Sequence, residues 1–371
     1  MRWWWMTLAI AAPAAADPYL EGDHATGSWG GKRDTLADHG VTIDVIYYVE
    51  LFDAVGADAT ALGHIDAALT LDTEKLGLWP GGTFYALGQN GHGDGVNTVV
   101  GSATPISNLE APAFTQLTEL FYEQALADDA VKLRVGKQDA NRDFGTPRYA
   151  GNFINGTLGM FPNVALPSFP TTGLGAYAQV KPAHWLAVKS GVYEGSPESG
   201  GFGLDTAFAD GAGYVGVGAV AATGHFGPSH RHEATTSVGV WHRGGDTVAN
   251  DGVFAQTDEH LFAHPDDPKD ASGLTVIGRF SYARPERSAI TRYFGGSAAY
   301  YGIGLHHDDS AGIAAGYLTL SPSGSEWFVD ATYKARLTKF VSLQPDLELY
   351  RHPGGTNDDA LLVGIRLKVK L

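Results

Sequence analysis

The chain has 371 residues, no cysteine, a formal net charge of −16 at neutral pH and a hydrophobic content of 44%. This negative charge argues against binding to nucleic acids and against simple docking on anionic membranes, both of which require basic surfaces. The lack of cysteine excludes a disulfide framework and a thiolate metal site, and it fits an oxidising compartment.

The first residues have the form of a secretory signal peptide. Arg2 precedes an apolar stretch at 3–12, and Ala14 and Ala16 form an A-x-A cleavage site. We therefore expect residues 1–16 to be removed on export. No later stretch approaches the ~18 apolar residues of a membrane-spanning helix, so a membrane protein with this sequence would have to be a closed β-barrel.

Residues 17–40 show no strand pattern and are interpreted as a periplasmic N-terminal segment. The glycines before Lys32 resemble a phosphate-binding loop, but the P-loop spacing is missing and no strand leads into it. The sequence RDTLADHG instead predicts a short helix that ends at Gly40.

Apolar and polar residues alternate through most of the remaining chain, as in the C-terminal run in which Val363, Ile365, Leu367 and Val369 are separated by glycine, arginine and lysine. Both a soluble sandwich and a membrane barrel have such strands. The apolar faces are rich in alanine, valine and leucine rather than in the bulky residues of a sandwich core, which favours contact with lipid. The pattern predicts about 16 strands, near 41–51, 62–72, 82–89, 115–126, 131–137, 173–181, 184–193, 212–221, 233–243, 251–256, 273–283, 296–305, 311–319, 325–336, 340–350 and 360–371.

The connections between these strands alternate in length. Residues 90–114, 138–172 and 194–211 are long, whereas 127–130 and 182–183 are tight turns. Outer-membrane barrels alternate extracellular loops and short periplasmic turns in this way. We therefore predict an all-β fold, a transmembrane antiparallel β-barrel over residues 41–371. The stretch that begins at Thr257 is long where a short turn is expected, which indicates that a strand is misplaced there.

Glu119 and Glu123 share one face of the predicted strand 115–126. Paired carboxylates suggest a glycosidase, but an i,i+4 spacing on a strand separates them by ~13 Å. Glycosidase carboxyl pairs are at most ~9.5 Å apart. Lys132 and Arg134 on the next strand are the expected partners, and together these side chains would line the lumen as a charged row.

The connection 139–172 is too long for a plain connector and is interpreted as a functional extracellular loop folded into the barrel. It carries Asp139, Arg142, Asp143 and Arg148, together with several aromatic residues. Charged groups bind sugar hydroxyls and aromatic rings stack on sugar C–H faces, so this loop would form a constriction suited to sugars. The alternative is an exposed loop with solvated charges.

Two histidine clusters lack the spacing of a zinc site. They are His230 with His232, and His306 with His307, and both are interpreted as turn residues. No G-x-S-x-G nucleophile elbow is present. The sequence therefore predicts no metal site, no cofactor and no catalytic residue.

Three stretches resemble the carbohydrate-selective porins of the OprB-like family. They are GSWGGKR from Gly27, the block from Leu133 to Pro182 that contains VGKQDANRDF, and the ending from Leu343 that contains PDLELYRHPGG. The resemblance implies a sixteen-stranded barrel in the outer membrane of a Gram-negative bacterium, which passes sugars by facilitated diffusion and is not an enzyme.

The sequence thus predicts a porin for small neutral sugars, mono- or small oligosaccharides, embedded in outer-membrane lipid and lipopolysaccharide. Both a monomer and a homotrimer are compatible with it. The alternative is a secreted all-β carbohydrate-active enzyme. For the porin, the predicted constriction consists of Glu119, Glu123, Lys132, Arg134, Asp139, Arg142, Asp143 and Arg148.

Overall fold

Sixteen antiparallel strands form one closed barrel in the computed structural model, in which each strand pairs with its sequence neighbours and β1 pairs with β16. The structure describes residues 22–198, 200–202, 211–226, 232–245, 249–261, 272–304, 308–322 and 324–371. The predicted signal peptide at 1–16 lies outside these ranges. So do His230, His306 and His307.

The strands have the lengths expected for barrel strands. Their bounds are β1 Val41–Ala54, β2 Ala59–Asp72, β3 Gly82–Gly93, β4 Phe114–Leu126, β5 Val131–Gln138, β6 Gly173–Ala183, β7 Leu186–Glu194, β8 Tyr214–Phe226, β9 His232–Gly244, β10 Asn250–His260, β11 Gly273–Ala283, β12 Ile290–Tyr301, β13 Ser310–Leu320, β14 Ser325–Arg336, β15 Val341–Arg351 and β16 Ala360–Lys370.

Several predicted strand ends differ from the structure, among them those of β3 and β8, which were predicted to end at 89 and 221. The prediction 296–305 is wrong at its start, because β12 begins at Ile290 and runs straight through Gly295 and Gly296, which looked like a break. The strand 251–256 was predicted too short. Strand β10 continues to His260, since the acidic residues before it stay in register with β9 and β11.

The described ranges contain four short α-helices, α1 Lys32–Asp38, α2 Asn97–Val100, α3 Asn141–Phe144 and α4 Gly156–Gly159. Helix α1 lies where the sequence predicts a helix. Gly40, just after it, has φ +85°, which glycine adopts without strain. None of the helices in the described ranges has the length and apolar content to cross a membrane.

Alternate residues of each strand face opposite sides of the barrel wall, as the C-terminal pattern predicts. Val363 is 51% exposed on the outer face, whereas Arg366 is 8% exposed and forms an ion pair with Glu50 inside. Other apolar side chains exposed on the outside include Leu133, Val135, Val188, Val220, Val238, Val240, Ile313, Leu347 and Leu361. This band is the surface that meets lipid hydrocarbon.

The two ends of the barrel differ. The N-terminal segment and the C-terminus meet at one end, where the Ala25 amide donates to the Lys370 carbonyl oxygen at 2.8 Å. We call this the termini end. The connections 94–113, 139–172 and 195–213 leave from the opposite end, which we call the loop end.

The lipid-facing assignment predicts that an arginine destabilises the protein much more on the outer face of β15 than on its inner face. Leu347→Arg, at the middle of the outer face, should lower the free energy of unfolding by ~2–4 kcal/mol, because the charge enters hydrocarbon. Ser342→Arg, on the inner face of the same strand, is the matched control and should cost much less. Urea titration of the protein folded into phosphocholine vesicles measures both values. Equal losses would contradict the assignment.

Candidate functional site, the inward loops and the polar passage

The connection between β5 and β6, residues 139–172, lies inside the barrel. Inward-facing side chains of distant strands hold it there. Arg279 of β11 donates to the Thr157 carbonyl oxygen at 2.6 Å, and Lys189 of β7 donates to the Asp143 carbonyl oxygen at 2.8 Å. Contacts with strands so far apart in the sheet require the loop to extend across the lumen. We call it the long loop.

Helix α4 of the long loop starts at a side chain that also binds the wall. Asn155 accepts a hydrogen bond from the Thr157 amide at 3.0 Å, which is the usual role of asparagine at a helix start. Its amide group donates to Glu348 at 2.8 Å and to the Tyr350 hydroxyl at 2.7 Å, both on β15. The residue that begins the helix therefore also fixes its position on the barrel.

Glu348 belongs to a buried carboxylate cluster with Asp330 and Asp346. One oxygen of each lies within 4.8 Å of the others. Oxygen ligands at this spacing suit a hard divalent cation, and within the described ranges this is the set that could hold a metal ion. Its place beneath Asn155 makes it part of the wall on which the long loop packs.

Most of the predicted constriction residues meet where the long loop leaves β5. Arg134 donates to Glu123 at 2.6 and 2.9 Å and to Asp143 of the loop at 2.6 Å, and it is only 8% exposed. Lys132 lies 3.9 Å from Glu123. Arg134 therefore connects β4 to the long loop through two ion pairs, one with Glu123 and one with Asp143.

A second ion pair lies beside the first. Arg142 of the long loop pairs with Glu119 of β4, which is 3% exposed, and the Asp139 amide donates to the same carboxylate at 3.2 Å. The Arg142 guanidinium also lies 5.2 Å from the centre of the Tyr85 ring, within cation–π range. Glu119 thus holds the loop from the wall, as Glu123 does through Arg134.

Arg148 lies apart from these residues. It pairs with Glu233 of β9 at 2.7 Å, and its side chain is 55% exposed. The structure therefore brings together seven of the eight predicted residues and leaves Arg148 on another part of the wall. The seven are Glu119, Glu123, Lys132, Arg134, Asp139, Arg142 and Asp143.

Residues 94–113, which we call the second loop, also fold inward, and the sequence analysis did not single them out. Ser107 donates to Glu50 at 3.0 Å, and Arg366 donates to the Asn108 side chain at 2.6 Å. The Asn108 amide donates to the Ile154 carbonyl oxygen of the long loop at 2.8 Å. The two loops therefore form one body inside the barrel.

Signals for these missed features were present in the sequence. The second loop contains apolar residues that an exposed loop would lack, and Val96, Val100 and Ile106 are buried. Arg279 is the one charged residue of strand β11. An isolated charge on an inward position predicts a partner from elsewhere in the chain.

An open cavity of about 390 Å³ remains between the two loops and the wall from β14 to β1. Hydroxyls, amides, charged groups and two aromatic rings face it. The side chains of its lining that can bind a polar solute are Tyr48, Asn108, Glu110, Asp139, Asn141, Phe169, Lys334, Ser342, Gln344, Arg366 and Lys368. We call this cavity the polar passage.

Asp139 is the predicted residue that lines the polar passage directly. Burial raises the pKa of its carboxyl to about 6, and repulsion by Glu119 adds to the shift. Hydrogen bonds from the amides of Asn141 and Phe169, at 2.8 and 3.3 Å, oppose it. The charge of this carboxyl therefore changes within the mildly acidic range.

Comparison with known proteins identifies the family to which this barrel belongs. A family model described as carbohydrate-selective porin, OprB family, matches residues 57–242 and 214–371. The chain belongs to the OprB family of carbohydrate-selective porins. A comparison with curated proteins finds no match.

Several solved structures share the fold of this OprB-family chain at low sequence identity. The high-pH structure of OprB from Pseudomonas putida has a TM-score of 0.84 at 16% identity, and covers 95% of this chain and 99% of its own. The low-pH structure of the same protein has a TM-score of 0.67 at the same identity and coverage. OpdK from Pseudomonas aeruginosa, solved with vanillate, has a TM-score of 0.52 at 10% identity over 89% of this chain and 98% of its own.

The burial of Arg134 predicts a large effect on the stability of this porin. Arg134→Met should lower the free energy of unfolding by ~3–5 kcal/mol, because Glu123 and Asp143 lose their buried partner. Arg148→Met removes an exposed ion pair and should cost ~0–1 kcal/mol. Urea unfolding in vesicles compares the two variants. Similar losses would show that Arg134 is not held in a desolvated network.

The raised pKa of Asp139 predicts a pH-dependent ion preference. Below pH ~6 the carboxyl is neutral, so the passage loses a negative charge and the permeability ratio of chloride to potassium should rise. Zero-current potentials in a KCl gradient from pH 4.5 to 7.5 measure this ratio. Asp139→Asn should keep the acidic-range ratio and lack the change near pH 6. An identical titration in both proteins would contradict this role.

Proposed function

We propose that the chain is an outer-membrane channel that passes mono- and small oligosaccharides by facilitated diffusion through a lumen narrowed by the long and second loops. The observation that carries the proposal is the polar passage. The amides of Asn108 and Gln344 and the hydroxyl of Ser342 can exchange hydrogen bonds with sugar hydroxyls, while Tyr48 and Phe169 offer ring faces for sugar C–H groups. The membership of the carbohydrate-selective porin family supports it.

The charged network has a positioning role in this proposal. Arg134 and Arg142 bind the long loop to β4 and β5, so the loop stays across the lumen and sets the width of the passage. Asp139 faces the passage itself. Solute binding must remain weak, because a tight site would slow flux. The loop end faces the exterior and the termini end faces the periplasm, following the usual orientation of outer-membrane barrels.

The function is tested in liposomes that contain the refolded full-length protein. Swelling rates in glucose, maltose and raffinose should fall with solute size, and the folded band on an SDS gel should shift on boiling. The alternative of a secreted carbohydrate-active enzyme predicts no swelling and release of reducing ends from glycosides. Failure of liposome swelling by correctly folded protein would rule out the channel.

Loosening the long loop should widen the passage. The double variant Arg134→Ala and Arg142→Ala leaves Glu119, Glu123 and Asp143 without their arginine partners, so the start of the long loop should move away from β4 and β5. We expect single-channel conductance to rise and the difference between glucose and maltose rates to shrink. Arg148→Ala, which breaks an exposed pair, should change both less. If conductance and sugar preference stay as in the wild type, the network does not set the constriction.

A further inference from the structure

The polar passage continues toward the termini end along a wall of cationic side chains. A second cavity of about 270 Å³ shares Lys334, Ser342 and Lys368 with the polar passage. It adds three cations and one carboxylate, which are Arg336, Lys339, Lys370 and Asp308, and Asp308 pairs with Arg336. The three shared residues lie on the inner faces of β14, β15 and β16, where Ser342 pairs with Arg336 on one side and Lys368 on the other. A solute that crosses the barrel here must pass this basic surface.

Two of these cations have no carboxylate partner among the described residues. The Lys334 ammonium has a hydrogen bond of 3.5 Å to the Gly151 carbonyl oxygen, and the Lys368 ammonium lies 5.6 Å from the centre of the Tyr48 ring. Neither contact neutralises the charge. In contrast, Arg366 pairs with Glu50 and Lys370 pairs with Asp44.

The carboxylates that line the polar passage are already engaged with the loops. Glu110 accepts hydrogen bonds from the backbone amides of Asn97 and Ile106, at 2.7 and 3.2 Å. Asp139 accepts from the amides of Asn141 and Phe169. Asp66, whose charge acts on Lys368, is bound to His64 and Gln89. Among the described residues of the two cavities, Lys334 and Lys368 are therefore cations without an ion pair, in a chain whose net charge is −16.

We propose that Lys334 and Lys368 form an anion subsite, and that the passage prefers monosaccharides with one anionic group, a carboxylate or a phosphate, over neutral sugars. The inference rests on the proposed function as a sugar channel and names its solute class. The anionic group would lie between the two ammonium groups beside the Ser342 hydroxyl. The sugar ring would meet Tyr48 and the amides deeper in the passage.

The physical basis is confinement. A charged, low-dielectric channel focuses its field and raises the local concentration of counter-ions, and the effect falls with ionic strength. Two ammonium groups on flexible side chains bind an anion by charge rather than by rigid bidentate geometry. Such binding suits a channel, because the solute can leave again.

Planar-bilayer recordings with the full-length protein test the subsite. In a KCl gradient the wild type should favour chloride over potassium. In potassium glucuronate and potassium glucose 6-phosphate, both sugar anions should carry measurable current. The double variant Lys334→Gln and Lys368→Gln should reduce the anion preference several-fold, because both free ammonium groups are lost. Glucose swelling by the same variant shows that its channel is still open.

A matched control removes two lysines outside the passage. Lys32→Gln and Lys75→Gln lie near the termini end, on α1 and on the turn after β2, and should leave the anion preference unchanged. Current from only one sugar anion would assign the subsite to that anionic group.

The outcomes separate this inference from the function on which it rests. Glucose permeation without anion preference, or wild-type anion preference in the Lys334/Lys368 variant, would overturn the subsite and leave the sugar channel standing. Folded protein that forms no channel and passes no glucose would overturn both.

Discussion

The structure depends on the closure of the sheet between β1 and β16. In hydrocarbon an unpaired backbone group costs several kcal/mol, because no water is present to bind it. Pairing from Ile46 with Lys370 to Ala54 with Leu362 removes the two edges that an open sheet would expose. Once the wall is closed and one face meets lipid, the charged side chains away from the strand ends have only the lumen to occupy. Their partners must be found there.

The two inward loops provide partners for the charged side chains of the lumen. A charge inside a narrow lumen is partly desolvated and needs a partner, and a loop away from bulk water needs partners for its backbone groups. Arg279 and Lys189 on the wall bind carbonyl oxygens of the long loop, and Glu119 binds its Asp139 amide. The polar groups of the wall and of the loop therefore provide each other's hydrogen-bond partners. A loop held by many buried hydrogen bonds is a fixed part of the barrel interior.

The sequence predicted the barrel because its evidence is local. Period-two alternation appears in each strand alone, and the tight turn between β4 and β5 places Glu123 beside Arg134 without further information. Strand β12 was misplaced for a local reason as well, since two consecutive glycines mimic a turn. In the barrel these two glycines keep their strand pairing, because hydrogen bonds to β11 and β13 hold the strand on both sides.

The path of the long loop could not be predicted in this way. Asp143 meets Arg134, but Arg148 meets Glu233 of β9, and no spacing distinguishes these two outcomes. Asn155 meets Glu348, which is 193 residues away. Such contacts depend on which lumenal groups lack partners after the wall has closed. They are a property of the whole inner surface and not of any segment.

That inner surface is divided by charge along the strands. On β14 and β15 the carboxylates Asp330, Asp346 and Glu348 lie toward the loop end beneath the loops, whereas Lys334 lies toward the termini end and faces open space. Four residues of strand separate Asp330 from Lys334, about 13 Å at 3.3 Å per residue. The three carboxylates are buried and do not line the cavity that Lys334 faces. One strand therefore holds the loops with its acidic half and presents a cation to the open cavity with its basic half.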